Sequence, residues 1–227
     1  MSLAGSGAVC IWHDLTPEAT DEFYQWHNRE HMPERVGIPG FLRGRRYIAV
    51  AGAPAYFNLY EAESAELLGG KDYLNRLNAP TEWTRRIVAS FRRVSRAICH
   101  VAYSEGVGQG GFMLTERFEL ADADRAEMLE TLCARLLPPL AERKGIAGVH
   151  LCVADQTISR IETAEKKARA DATAIPGCIV LIEGTSESDV REAGDSLAAD
   201  VRALLGGSSP CIDTSIYQLQ HARSRTP

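Results

Sequence analysis

Apolar positions along this chain alternate between a strand-like and a helix-like period, and their order predicts an α+β protein. Ala8-Val9-Cys10-Ile11-Trp12-His13 is a strand-like run. Thr16-Pro17-Glu18 then opens a helix, with threonine as cap and proline in the first helical position. That helix is expected to reach about His31, where Pro33 and Gly37-Ile38-Pro39-Gly40 break it. Phe41 to Val50 reads as a strand, Gly52-Ala53-Pro54 as a tight turn, and Tyr56 to Tyr60 as the returning strand. Ser64 to about Phe91 is helical in character, divided at Asn78-Ala79-Pro80, and Val94 to Tyr103 completes a βαββαβ series.

The series then recurs. Strand Phe112 to Phe118, helix Asp124 to about Arg143, strands Gly148 to Ala154 and Cys178 to Glu183, helix Glu187 to Leu205 and strand Ile212 to Leu219 repeat the order after roughly 105 residues. The expected organisation is a first repeat over 1–105 that holds the pocket, a glycine-rich linker over 106–111, a second repeat over 112–220 and a disordered tail over 221–227. Asp155 to Pro176 has no counterpart in the first repeat. Ile158, Ile161, Ala164 and Ala168 recur there at helical spacing beside Glu162, Glu165, Lys166 and Lys167, so an amphipathic helix is expected near 156–172. A lid, an interface and a solvated surface excursion all fit that pattern.

Composition narrows the function. With 227 residues and 45% hydrophobic content the chain can bury a substantial core. A net charge of −5, from 25 basic and 30 acidic residues, gives no pull toward nucleic acid or an anionic membrane, so neither is expected as a partner. No run approaches the roughly 18–20 apolar residues that span a bilayer, and the first seven residues are too short and polar for a signal peptide, which predicts a cytoplasmic protein. The six cysteines form no Cys-x-x-Cys pair and lie beside apolar neighbours, so they read as buried packing residues in a reducing compartment.

The stretch Trp26-His27-Asn28-Arg29-Glu30-His31-Met32-Pro33-Glu34-Arg35, followed by Ile38-Pro39-Gly40-Phe41 and the strand Arg43 to Tyr47, resembles the dimeric α/β barrel superfamily, and its EthD-like members most. The resemblance covers about residues 8–104. It implies that two ferredoxin-like βαββαβ repeats, usually on separate subunits, pack their antiparallel sheets into one barrel within this chain. It also implies that a helix-borne histidine just before the Pro-Gly-Phe turn lines a pocket between helices and sheet, the position of His31. The second repeat has no Trp-His-x-x-Glu-His segment and matches by topology alone. Superfamily members include cofactor-free monooxygenases, lactone isomerases and haem-degrading enzymes, so membership does not choose a reaction.

His27 and His31 stand four apart and share a helix face, with Glu30 in a neighbouring acidic row. An imidazole tuned by burial or a carboxylate can accept a proton at neutral pH, which makes His31, His27 and Glu30 the candidate catalytic residues. The competing reading is a histidine that caps the helix end as a cation. Trp26, Tyr60 and Trp83 are candidate substrate-binding aromatics, although aromatics at such spacing also build cores. Arg45 and Tyr47 alternate with Arg43 on one strand face and could meet an anionic or phenolic ligand; an exposed strand face has the same pattern.

His27-x-x-Glu30-His31 also spells an inverted zinc-protease signature; Glu105 is a possible third ligand by its distance in sequence, but nothing places it near the pair, so no metal is expected. Gly106-x-Gly108-x-x-Gly111 matches a dinucleotide fingerprint on paper, yet a strand follows it where a helix is required. The expectation is therefore an enzyme without cofactor, moving a proton on a small aromatic or carbonyl compound in isomerase, lyase or monooxygenase chemistry. The alternatives are a non-catalytic ligand-binding or stress-related module and a metal-dependent hydrolase. A small-molecule ligand is the expected partner, and further dimerisation to a homodimer is left open.

Overall fold

A computed structural model describes residues 3–205 and 211–225. Eight strands follow in order: β1 (Gly7–Leu15), β2 (Phe41–Ala51), β3 (Tyr56–Ala62), β4 (Phe91–Gly106), β5 (Phe112–Phe118), β6 (Ile146–Ala154), β7 (Cys178–Gly184) and β8 (Asp213–Ser224). They close into an antiparallel barrel with neighbour order β1-β3-β2-β8-β5-β7-β6-β4. Each repeat contributes one ferredoxin-like sheet, β4-β1-β3-β2 or β8-β5-β7-β6, and the seams are β2 with β8 and β4 with β6. The chain is thus a tandem ferredoxin-like α/β barrel, α+β in class, whose closure pairs strand edges that would otherwise be open.

Because strand side chains alternate, one row of each strand fills the barrel and the other lies beneath helices. The inner row packs Trp12, Tyr47, Phe57 and Tyr217, with Trp12 stacked on Phe57 at 4.8 Å between ring centroids. Outside, α1 (Thr20–Trp26), α2 (Met32–Gly37), α3 (Lys71–Asn78) and α4 (Glu82–Val88) cover the first sheet. The second sheet is covered by α5 (Asp122–Thr131) and α6 (Leu137–Ala141) and, after the short insertion helices α7 (Gln156–Ser159) and α8 (Ala164–Lys167), by α9 (Glu187–Leu205). No helix among the described residues is long and apolar enough to cross a membrane.

Three expectations need correction. Pro33 does not end the first helix. The chain widens into a π-turn over His27–His31, with Met32 N–H bonded to His27 O, and continues as α2 to Gly37. Proline lacks an N–H and crowds the carbonyl four residues back, and a π-turn just before it relieves both problems. The second repeat does the same 105 positions on: a π-turn over Leu132–Leu136 precedes Pro138, and Gly145, like Gly40, has a φ of 82°.

Second, the insertion forms two single turns rather than one amphipathic helix. Asp155 and Thr163 cap them by accepting from Ile158 N and Lys166 N. The segment also covers the part of the β4 edge that β6 does not reach, through Ala174 N to Val94 O at 3.0 Å, Arg96 N to Ala174 O at 2.8 Å and Asp155 N to Ile98 O at 2.8 Å. Third, 221–224 are not a tail, since β8 pairs with β2 as far as Ser224 opposite Arg43; residues 226–227 lie outside the described residues. All six cysteines are free, four of them buried, whereas Cys133 is half-buried and Cys211 exposed.

Candidate functional site

The π-turn places His27 and His31 on one face of the helix, 5.5 Å apart between ring centroids. Both point under the helix toward β1 and β3, into a cavity of about 20 Å³ walled by Ile11, Trp26, Tyr60, Val88 and Phe91 together with the two imidazoles and Asn58. That volume holds about one water. Close packing of α2 on β2 depends on Gly44, where a Cβ would stand 2.2 Å from Met32 Sδ and 3.0 Å from the Tyr60 ring. The remaining wall comes from the other repeat, as Glu165 and Arg169 of the insertion.

The hydrogen bonds fix the protonation of His27. Arg46 Nη1 lies 3.2 Å from His27 Nδ1 and can only donate, so Nδ1 accepts and Nε2 carries the proton. Nε2–H then donates to Tyr60 Oη at 3.2 Å. Burial first, and the Arg46 charge second, hold the His27 pKa well below the usual imidazole range. His31 is 6% exposed, its Nδ1 has no partner, and burial with the nearby Arg35 charge holds it well below that range too. Both rings are therefore neutral at pH 7.

A third imidazole completes the arrangement. His13 Nδ1–H donates to Asp14 O at 3.1 Å, so its Nε2 accepts from Asn58 Nδ2 at 3.1 Å. Burial pulls its pKa down to about 3. Asn58 Oδ1 is left without a partner. An unpaired imidazole nitrogen and an unpaired amide oxygen thus belong to residues lining one water-sized space, a concentration that buried structure ordinarily avoids.

Of the residues singled out from sequence, His27, His31, Trp26 and Tyr60 come together around this cavity. Glu30 does not reach it. Its Oε1 accepts from Thr81 Oγ1 at 2.6 Å and Thr84 Oγ1 at 3.1 Å, and Trp26 Nε1 donates to Thr84 Oγ1 at 3.1 Å, so Glu30 fixes the Trp26 indole through Thr84. Trp83 is half-buried on α4, outside the cavity lining. Arg45 and Tyr47 lie on the opposite face of the sheet, inside the barrel and fully buried, so they are neither an exposed face nor part of this pocket.

Arg46, Asn58, His13, Glu165 and Arg169 are additions from the structure. Asn58 carried a signal, being an amide in the otherwise aromatic and aliphatic Tyr56-Phe57-Asn58-Leu59-Tyr60. Glu165 carried none: it meets Arg35 from 130 positions away. The metal reading finds little support in the donor geometry. Both His27 nitrogens are engaged, Arg46 stands against one of them, and among the described residues no group of three His, Cys, Asp or Glu side chains converges as metal donors. At the equivalent π-turn of the second repeat, Leu132 and Leu136 replace the two histidines, and Leu132 is fully buried in that repeat's core.

No protein-family model matches the sequence, and no curated protein matches it. Solved structures do. An anthrone oxidase-like protein matches at 15% identity and a TM-score of 0.64, over 99% of this chain and 95% of that one. A candidate monooxygenase from Fusobacterium nucleatum matches at 7% identity and 0.61, over 98% and 96%. A candidate monooxygenase from Lactobacillus acidophilus matches at 10% identity and 0.59, over 96% of each chain. At such identities the likeness is one of fold, and it extends over both repeats.

Proposed function

We propose that the cavity beneath α1 and α2 is a small-molecule site in which His31 takes a proton from carbon on an aromatic or carbonyl compound. The observation that carries this is His31 itself: a neutral, almost wholly buried imidazole whose Nδ1 is unpartnered, walled by Trp26, Tyr60 and Phe91. The proton passes from carbon to Nδ1, and the electron pair of the C–H bond moves onto the carbonyl oxygen. Tyr60 O–H donates to that oxygen while its Oη accepts from His27 Nε2–H, and Arg46 holds His27 in the required tautomer. Isomerase and lyase reactions start from the resulting enolate; with dioxygen as oxidant so does the monooxygenase reaction, the activity attached to the Fusobacterium and Lactobacillus neighbours.

The test uses enolisable aromatic carbonyl compounds, anthrone and phenylpyruvate among them, in deuterium oxide. Exchange at the acidic carbon, followed by NMR, is expected to run above the buffer rate with the native chain and to fall about 100-fold in His31→Ala. Equal exchange in the two proteins removes His31 from the reaction.

A non-catalytic binding module is the second reading, favoured by the burial that holds both imidazoles well below the usual range and so makes them weak bases. It predicts saturable binding of the same compounds with no exchange above buffer.

A further inference from the structure

We infer that the ligand of this cavity is an anion with a flat apolar body, and that the Glu165 carboxylate of the insertion is its built-in competitor for Arg35; the inference rests on the reading of the cavity as a ligand site.

The charges around the insertion do not balance. Arg35 on α2 is 2% exposed and its Nη2 donates to Glu165 Oε2. Arg169, whose side chain is 4% exposed, lies with Nη2 3.8 Å from the other oxygen of the same carboxylate. Two buried guanidinium groups share one carboxylate, and Arg35 Nη1 and Arg169 Nε have no partner. The neighbouring acid Glu34 is committed to Arg76 by two bonds of 2.6 and 3.0 Å. Arg96, which lines the second space beside Glu165 and Arg169, adds a third cation, and its guanidinium donates to the Tyr73 hydroxyl at 3.1 Å. Burial pulls the Arg169 pKa down to about 10, against the opposing pull of the Glu165 charge. An ion pair that merely anchored the insertion would need one arginine for its carboxylate. A surplus of buried donors and positive charge fits a site that receives a second anion.

The position of Glu165 and Arg169 ties this surplus to the cavity. They are the partition between the space beside His31 and a second one, of about 10 Å³, lined by Leu68, Leu77, Ile98 and Ile158. Displacing them joins the two. The segment that carries them is made of single helical turns with little stability of their own, tied to β4 at Asp155 and Ala174, so a competing anion at Arg35 acts on the stretch between two fixed ends. The apolar, planar character of the ligand follows from Trp26, Tyr60, Phe91 and Ile11, which form the part of the wall that stays in place.

The experiment compares 2-naphthoate with the neutral, isosteric 2-naphthamide, using calorimetry and tryptophan fluorescence on the full chain. Naphthoate is expected to bind, to bind about tenfold tighter to Glu165→Gln because the internal competitor has lost its charge, and to bind at least tenfold more weakly to Arg35→Met. Naphthamide, which cannot replace the Glu165 carboxylate at Arg35, should bind at least tenfold more weakly than naphthoate to both the native chain and Glu165→Gln. Should Glu165→Gln not fold, hydrogen exchange on the native chain decides: naphthoate, and not naphthamide, should accelerate exchange of the backbone amides between residues 160 and 173. Equal binding of acid and amide, with no response to Glu165 or Arg35, overturns the anion assignment and leaves the cavity as a ligand site. Failure of both compounds to bind any variant, with no change in exchange, overturns both readings.

Discussion

Replacing Arg45 by methionine is expected to destabilise the fold by about 3–5 kcal/mol, and removing Glu183 as well, in Arg45→Met/Glu183→Leu, to restore most of that loss. Arg45 is 0% exposed and sits at one mouth of the barrel, where its Nη1 donates to both Glu183 oxygens at 2.9 Å and its Nη2 lies 3.1 Å from Glu61 Oε1. Arg43 holds Glu61 by two bonds of 2.7 Å, so the two arginines and two glutamates are neutral as a group. His150 stands 3.3 Å from Glu183, and it and Arg45 together outweigh burial and hold the Glu183 pKa down to about 2. Without Arg45 the Glu183 carboxylate keeps only an imidazole and the Gly110 N–H, and a buried charge without a full partner dominates the cost. The double variant removes both charges and leaves the Arg43–Glu61 pair intact. Urea unfolding of the native, single and double chains measures all three terms; a double variant no more stable than Arg45→Met alone refutes this account of the network.

This network marks how far the sequence could be read. Hydrophobic periodicity predicts both βαββαβ series because each helix and strand packs one face on its own sheet, which is local information. The His27–His31 face is equally local, since both residues belong to one turn. The destination of Arg43, Arg45 and Tyr47 is different: a period of two identifies a face without saying whether water or the inside of a barrel lies against it, and closure through β2 with β8 decides that from 174 positions away. Pairing across the repeats hides the rest. Glu61 and Glu183 are equivalent residues of the two copies, and they are brought to one arginine only by the fused barrel. Likewise the amphipathic pattern of the insertion suggested one helix where two single turns form, and it gave no sign that Glu165 would close the pocket of the other repeat. Pro33 misled in a physically instructive way, because a π-turn lets a helix pass a proline and leaves no mark in the apolar pattern.

Glu116 offers the sharpest pH test of the fold. It is 0% exposed on β5, beneath α9, in the row of Leu114 and Phe118, and neither of its oxygens has a partner. Burial pushes its pKa up to about 8, with Arg202 and Asp195 of α9 acting in opposite directions. The unfolded chain ionises this carboxyl from roughly pH 4.3 upward while the folded chain keeps its proton, so the unfolded state binds fewer protons and stability falls as pH rises toward 8. Glu116→Leu removes the titration and matches the surrounding core. Its stability advantage over the native chain should therefore grow by about 3–4 kcal/mol between pH 5 and pH 8 and level off above. The buried histidines act in the other sense: His13, His27 and His31 have lowered values, so each withdraws stability as pH falls below about 6.5. They are common to both proteins and cancel in the difference. Urea midpoints across that pH range give the difference directly. A constant offset means that Glu116 is ionised in the folded chain at neutral pH, with its charge carried by Arg202; a difference that grows with pH means that the fold holds a neutral carboxylic acid under α9.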